Sequence, residues 1–143
     1  MEPLSQNTQK QLQELGVNLV YLFGSYAEGK EMPHSDVDIG VVFERVPSPA
    51  KSGAMYQRFY ELFTNIFSEK KVDVVFVQRA GLELCFDVIS HGKLLFESTK
   101  GKHYDFEEQT TIMYTDFAPI RQEFDRAMLA RIGREPYGAS GEI

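Results

Sequence analysis

The sequence predicts an α/β or α+β layer fold, a small mixed β-sheet flanked by helices with a long helix closing the chain. Three observations carry this expectation. Val17–Phe23 and Val37–Phe43 are apolar runs rich in β-branched and aromatic residues, and Val72–Val77 and Lys93–Glu97 repeat the pattern more briefly. Between them lie stretches with the helical period, above all Met55, Phe59, Leu62, Phe63, Ile66 and Phe67. Helix-like and strand-like runs therefore alternate along the chain.

Taken in order, Ser5–Leu15 is Gln-rich with Leu12 and Leu15 on one side, and Gly16 follows as a C-cap, so a helix precedes the first strand. Gly29 and Pro33 mark residues 26–35 as a loop or short helical turn. Pro47-Ser48-Pro49 breaks the chain before a helix expected from about Gly53 to Ser68, whose apolar stripe reads as core. A short apolar helix from about Leu82 to Ser90 ends at His91-Gly92 and leads into the fourth strand. The last element, about Tyr104–Ile132, places Phe106, Met113, Phe117, Ile120, Phe124 and Met128 at spacings of seven, four, three, four and four, one apolar stripe. Its acids Asp105, Glu107 and Glu108 come early and Arg121, Arg126 and Arg131 late, the order a helix dipole favours. Pro119 predicts a kink or break within it.

Composition bounds the function. A length of 143 residues with 43% hydrophobic content suits one domain, taken as residues 1–132 with a flexible tail at 133–143. A net charge of −6 makes the surface a poor partner for a nucleic-acid backbone, so direct nucleic-acid binding is not expected. The single cysteine, Cys85, excludes an internal disulfide and reads as a packed apolar residue rather than a nucleophile. No run approaches the ~18 apolar residues of a membrane span, and the first residues lack a basic and apolar leader, so a cytoplasmic protein is expected.

The chemistry concentrates in Tyr21-Leu22-Phe23-Gly24-Ser25, ten residues, then Asp36-Val37-Asp38-Ile39-Gly40. A strand delivers the chain to a glycine and a hydroxyl. On the next strand Asp36 and Asp38 share one face because side chains alternate, about 6 to 7 Å apart. Two like charges so placed repel unless a cation shields them, and a hard divalent ion such as Mg²⁺ is held by one or two carboxylates together with substrate phosphates. Gly24 lets backbone amides approach an anion and Ser25 adds a donor. Nucleoside triphosphate with metal is the reading. Asp73, an acid within the third strand-like run, needs a metal or a basic neighbour, since an unpaired buried charge costs several kcal/mol.

Gly24-Ser25, ten residues, Asp36-x-Asp38 and the later Asp73 resemble the signature of the DNA polymerase β-like nucleotidyltransferase superfamily, over roughly Val17–Val77. The small size is similar to the minimal nucleotidyltransferases, and specifically to the MNT antitoxins paired with HEPN-domain toxins. That resemblance implies a nucleotidyltransferase fold, with Asp36, Asp38 and Asp73 as catalytic metal ligands for two Mg²⁺ ions. Gly24, Ser25 and Ser35 bind nucleotide on the same reading. It implies transfer of AMP from ATP to a tyrosine hydroxyl of a cognate HEPN ribonuclease toxin, in a hetero-oligomer with that toxin. Two other readings stay open: a binding antitoxin that masks the toxin without essential catalysis, and a small-molecule transferase of the aminoglycoside-modifying kind. His34 reads as an exposed loop histidine, and none of Lys30, Lys70 and Lys71 is singled out. Docking is expected on exposed parts of the last helix and the tail.

Overall fold

The computed structural model describes residues 4–68 and 70–134, the last two by backbone alone. They divide into two units, one up to Thr110 and one from Thr111 on.

In the first unit, helix α1 (Gln6–Glu14) starts at Ser5, whose hydroxyl accepts from the Thr8 amide at 3.2 Å and satisfies one of the amides a helix start leaves unpaired. It ends before Gly16, which takes the left-handed φ of 78° that only glycine adopts without strain. Strand β1 (Val17–Phe23) follows at once and has six of its seven residues buried, as does β2 (Val37–Phe43). Helix α2 (Pro49–Ile66) crosses to β3 (Val72–Phe76); α3 (Leu82–His91) leads to β4 (Lys93–Glu97); α4 (Lys102–Arg134) ends the described chain.

The sheet order is β3-β2-β1-β4, with β1 antiparallel to both β2 and β4 and β2 parallel to β3. The carboxyl end of β1 therefore lies at the same end of the sheet as the starts of β2, β3 and β4. One face, carrying Leu22, Val37, Ile39 and Val74, packs on Leu12 of α1 and on Phe59 and Phe63 of α2. The opposite face, carrying Leu19, Tyr21, Phe23 and Val42, packs on Val88 of α3 with Cys85 and Phe106 beside it.

Several expectations change. Helix α2 begins four residues before Gly53, because Pro49 occupies its first turn, where a missing N–H costs nothing. Strand β3 stops at Phe76, and Val77 opens a short 3-10 turn. Gln78 then donates to the Phe43 carbonyl and accepts from the Phe43 amide at 2.9 and 2.8 Å, completing the ladder at the end of β2 with a side chain. Helix α4 runs through Pro119 without a break. Gly133 and Arg134 extend that helix, and the remainder of the expected tail lies outside the described residues. No helix among the described residues is long and apolar enough to cross a membrane.

The start of α4 is fixed to the sheet by two carboxylates. Glu107 Oε2 accepts from the buried Tyr21 hydroxyl at 2.7 Å, and burial followed by that hydrogen bond holds the phenol protonated far above its ordinary range. Glu97, at the end of β4, accepts from the amides of Gly101 and His103 and from His103 Nδ1 at 2.5 Å. Desolvation pushes the Glu97 carboxyl up, but these hydrogen bonds outweigh it and hold the group below its usual range. A depressed folded pKa stabilises the fold above the unfolded glutamate pKa and ceases to do so as pH falls through the folded value. Glu97→Gln is therefore expected to lower the urea midpoint at neutral pH and to converge on the parent as pH falls below the ordinary glutamate range; a difference that does not change with pH contradicts this cap.

Candidate functional site

The site is built where β1 ends. Phe23 pairs with Asp38, and Asp38 pairs in turn with Asp73, so the three residues form one row across β1, β2 and β3 and share a face. Asp36 immediately precedes β2, and the Val37 amide after it donates to the Lys71 carbonyl at 2.8 Å, which ties the start of β2 to the segment entering β3. All three expected carboxylates thus come to one end of the sheet. Asp36 and Asp38 are half-buried. Asp73 is exposed, so the desolvation argument made for it from sequence belongs instead to Asp38.

Asp38 shows the consequence. Burial first, then the charges of Asp73 and Asp36, raise its carboxyl above the ordinary range. Its other neighbour is Gly24, which opens a 3-10 turn (Gly24–Tyr26) at φ 73°. A methyl group at position 24 would lie 2.1 Å from Asp38 Oδ2, inside any allowed contact. Glycine is required there twice, once for the backbone and once for room beside the carboxylate. The Gly24 carbonyl accepts from Ala27 and Glu28, and the Ser25 carbonyl accepts from Lys30 at 2.8 Å, which holds the turn against the acids. Ser35 sits in the returning loop, where its hydroxyl accepts from the Met32 amide at 2.7 Å.

Two cavities lie nearby, one at the returning loop and one against Tyr26. One of about 230 Å³ is lined by Pro33, His34, Ser35, Asp36, Lys70 and Lys71. The other, about 390 Å³, lies against Tyr26 and includes Leu22, Phe67, Lys70 and Lys93. The Lys70 ammonium stands 5.8 Å from the Tyr26 ring centroid, within cation–π range. Lys70 is common to both cavities and brings positive charge to each. Tyr26, Phe67 and Lys93 were missed by sequence reasoning. Tyr26 directly follows Ser25, but Lys93 comes near only through its pairing with Leu22 across β4 and β1, which no local signal encodes.

The donor set suits a hard divalent cation: all oxygen, carrying crowded negative charge that a cation relieves, and open to solvent at Asp73. Among the described residues no three His, Cys, Asp or Glu side chains are gathered so that they could hold a metal ion together. Cys85 plays no part, since its thiol donates to the Val77 carbonyl at 3.2 Å and burial raises its pKa.

A raised folded pKa means that the ionised Asp38 works against folding once pH exceeds that value, while the protonated form does not. Asp38→Asn is thus expected to raise the thermal midpoint above the parent's at neutral pH, with the gain shrinking as pH falls through the carboxylate range, measured without divalent ions. A variant less stable than the parent at every pH contradicts the crowding.

Comparison with known proteins bears on the family and the fold. The model of the Polymerase beta, Nucleotidyltransferase family matches residues 6–101. The protein adenylyltransferase MntA of Shewanella oneidensis is 30% identical over 106 residues, 74% of this chain and 72% of its own length. A crystal structure of a toxin–antitoxin with AMP-PNP superposes with a TM-score of 0.67 at 26% identity, covering 88% of this chain and 99% of the other. The tri-AMPylated Shewanella oneidensis HEPN toxin in complex with MNT antitoxin contains a chain of the same fold, with a TM-score of 0.60 at 24% identity over 88% of this chain and 99% of that one. With its glycine-backed row of carboxylates at the end of β1, this chain belongs to the polymerase beta-like nucleotidyltransferase family.

Proposed function

We propose that this protein is an antitoxin that transfers AMP from ATP to a tyrosine hydroxyl of a HEPN-family ribonuclease toxin and thereby silences it. The single observation that carries the chemistry is the row Phe23–Asp38–Asp73, with Gly24 packed against Asp38. The kind of acceptor is supported by the likeness to an adenylyltransferase and to a toxin–antitoxin chain seen with an ATP analogue.

In this reading the tyrosine oxygen attacks the α-phosphorus, the bond from that phosphorus to the bridging oxygen breaks, and pyrophosphate leaves. Asp36, Asp38 and Asp73 would hold Mg²⁺, which when bound neutralises the triphosphate and stabilises charge at the attacking and leaving oxygens. Asp73, the exposed member, faces the arriving hydroxyl and takes its proton. Ser25 and the amides of its turn cradle the β- and γ-phosphates, and the Ser35 hydroxyl, held by Met32, keeps the returning loop in reach of them. Lys70 and Lys93 supply the cationic side of the nucleotide's path, and Tyr26 gives it a flat apolar wall.

Incubation with α-labelled ATP, Mg²⁺ and the HEPN-family protein of the same operon is expected to label that protein on tyrosine. Asp36→Asn with Asp38→Asn is expected to lower the rate by roughly 10³-fold or more, since several kcal/mol of charge stabilisation is lost. A folded double variant that labels at the parent rate overturns the assignment of these acids.

A further inference from the structure

Thr110 is the last buried residue among those described; from Thr111 to Ile132 no side chain is buried. Yet Met113, Phe117, Ile120, Phe124 and Met128 recur along this stretch at spacings of four, three, four and four, the period of one helix face. Their exposures are 51, 51, 64, 63 and 41%. The stripe spans 16 residues, about 24 Å of helix. Five such side chains present on the order of 400 Å² of apolar surface. A contiguous patch of that size marks an interaction site, and it supplies about half of one side of a standard protein interface.

We propose that this stripe on α4 is the surface by which the chain grips its toxin, an inference that rests on the antitoxin reading above. Two observations choose this occupant. The charges beside the stripe are of both signs, with Asp116 and Glu123 along one edge and Arg121 and Asp125 along the other, a polar rim that suits a protein and lacks the one-sided basic face of a membrane-surface helix. The chain up to Thr110 is about three quarters of the 143 residues, so the 88% matched by the AMP-PNP-bound toxin–antitoxin structure has to include part of the helix beyond it. The element is thus shared with a chain crystallised in such a complex. Holding the toxin by a helix outside the acid site also meets a chemical need. The acceptor tyrosine must reach the nucleotide repeatedly, and a separate grip raises its effective concentration without occupying the site.

The test uses the full chain with Phe117→Glu and Phe124→Glu together, and in parallel the milder Phe117→Ala with Phe124→Ala. Circular dichroism and AMP-PNP binding report whether helix and nucleotide site persist. Calorimetry against the HEPN-family protein of the operon is expected to show at least a 100-fold loss of affinity for the glutamate pair and a smaller loss for the alanine pair, with AMP-PNP binding unchanged. Parent-like affinity in both variants overturns the proposal. So does light scattering showing that the chain alone is a dimer which the glutamate pair dissolves, because the stripe then belongs to a second copy. If the parent binds the toxin through the stripe but never transfers AMP to it, the docking surface stands and the transferase reading fails. If variants transfer AMP as fast as the parent at limiting toxin concentration, the reading stands and the docking surface fails.

Discussion

The structure turns on a repulsion. Asp38 is half-buried, carries Asp36 two residues before it and Asp73 beside it on the next strand, and has Gly24 pressed against its carboxylate oxygen. Such an arrangement works against the folded state, as the raised Asp38 pKa records. A fold keeps three acids beside a left-handed glycine at one sheet end when the cluster has a use. The use consistent with oxygen donors and crowded charge is a hard cation.

The rest of the first unit pays for that conflict through burial. Two apolar faces of one sheet are covered, by α1 and α2 on one side and by α3 and the first turns of α4 on the other. Register then does the positioning. Because β1 runs against β2 and β4 while β2 and β3 run together, the Gly24 turn, the acids Asp36 and Asp38 at the start of β2, Asp73 and Lys93 all arrive at one end from four separate parts of the sequence. Glu97 and Glu107 anchor the beginning of α4, so the helix that carries the apolar stripe leaves the sheet from a defined origin.

Much of this was legible in the sequence. Strands β1, β2 and β4 lie where alternation and turn residues placed them, because buried strands bounded by Gly24, Asp36 and Gly92 leave little freedom. The pairing of Asp36 with Asp38 on one face followed from strand periodicity, and the row with Asp73 extends it. What was not legible depends on tertiary context. The start of α2 hid behind Pro49, which reads equally as a breaker or as a first helical residue. Pro119 promised a kink or a break, and the helix is not broken there. Asp73 was expected to be buried by its apolar neighbours, but it lies at the open end of its strand. Phe106 and the later members of the last stripe look alike in sequence; only the structure separates the one that packs on the sheet from those that face outward. Lys93 and Tyr26 join the site through pairing and a cavity wall, neither of which has a linear signature.

The most direct measurement is a carboxylate-carbon NMR titration of Asp38, with and without Mg²⁺ and AMP-PNP. The crowded-acid account requires that Asp38 titrate above an ordinary aspartate in the free protein and fall well below it when both ligands are added, as a cation relieves the repulsion. An Asp38 that titrates like an exposed aspartate and ignores Mg²⁺ with nucleotide would contradict the central claim.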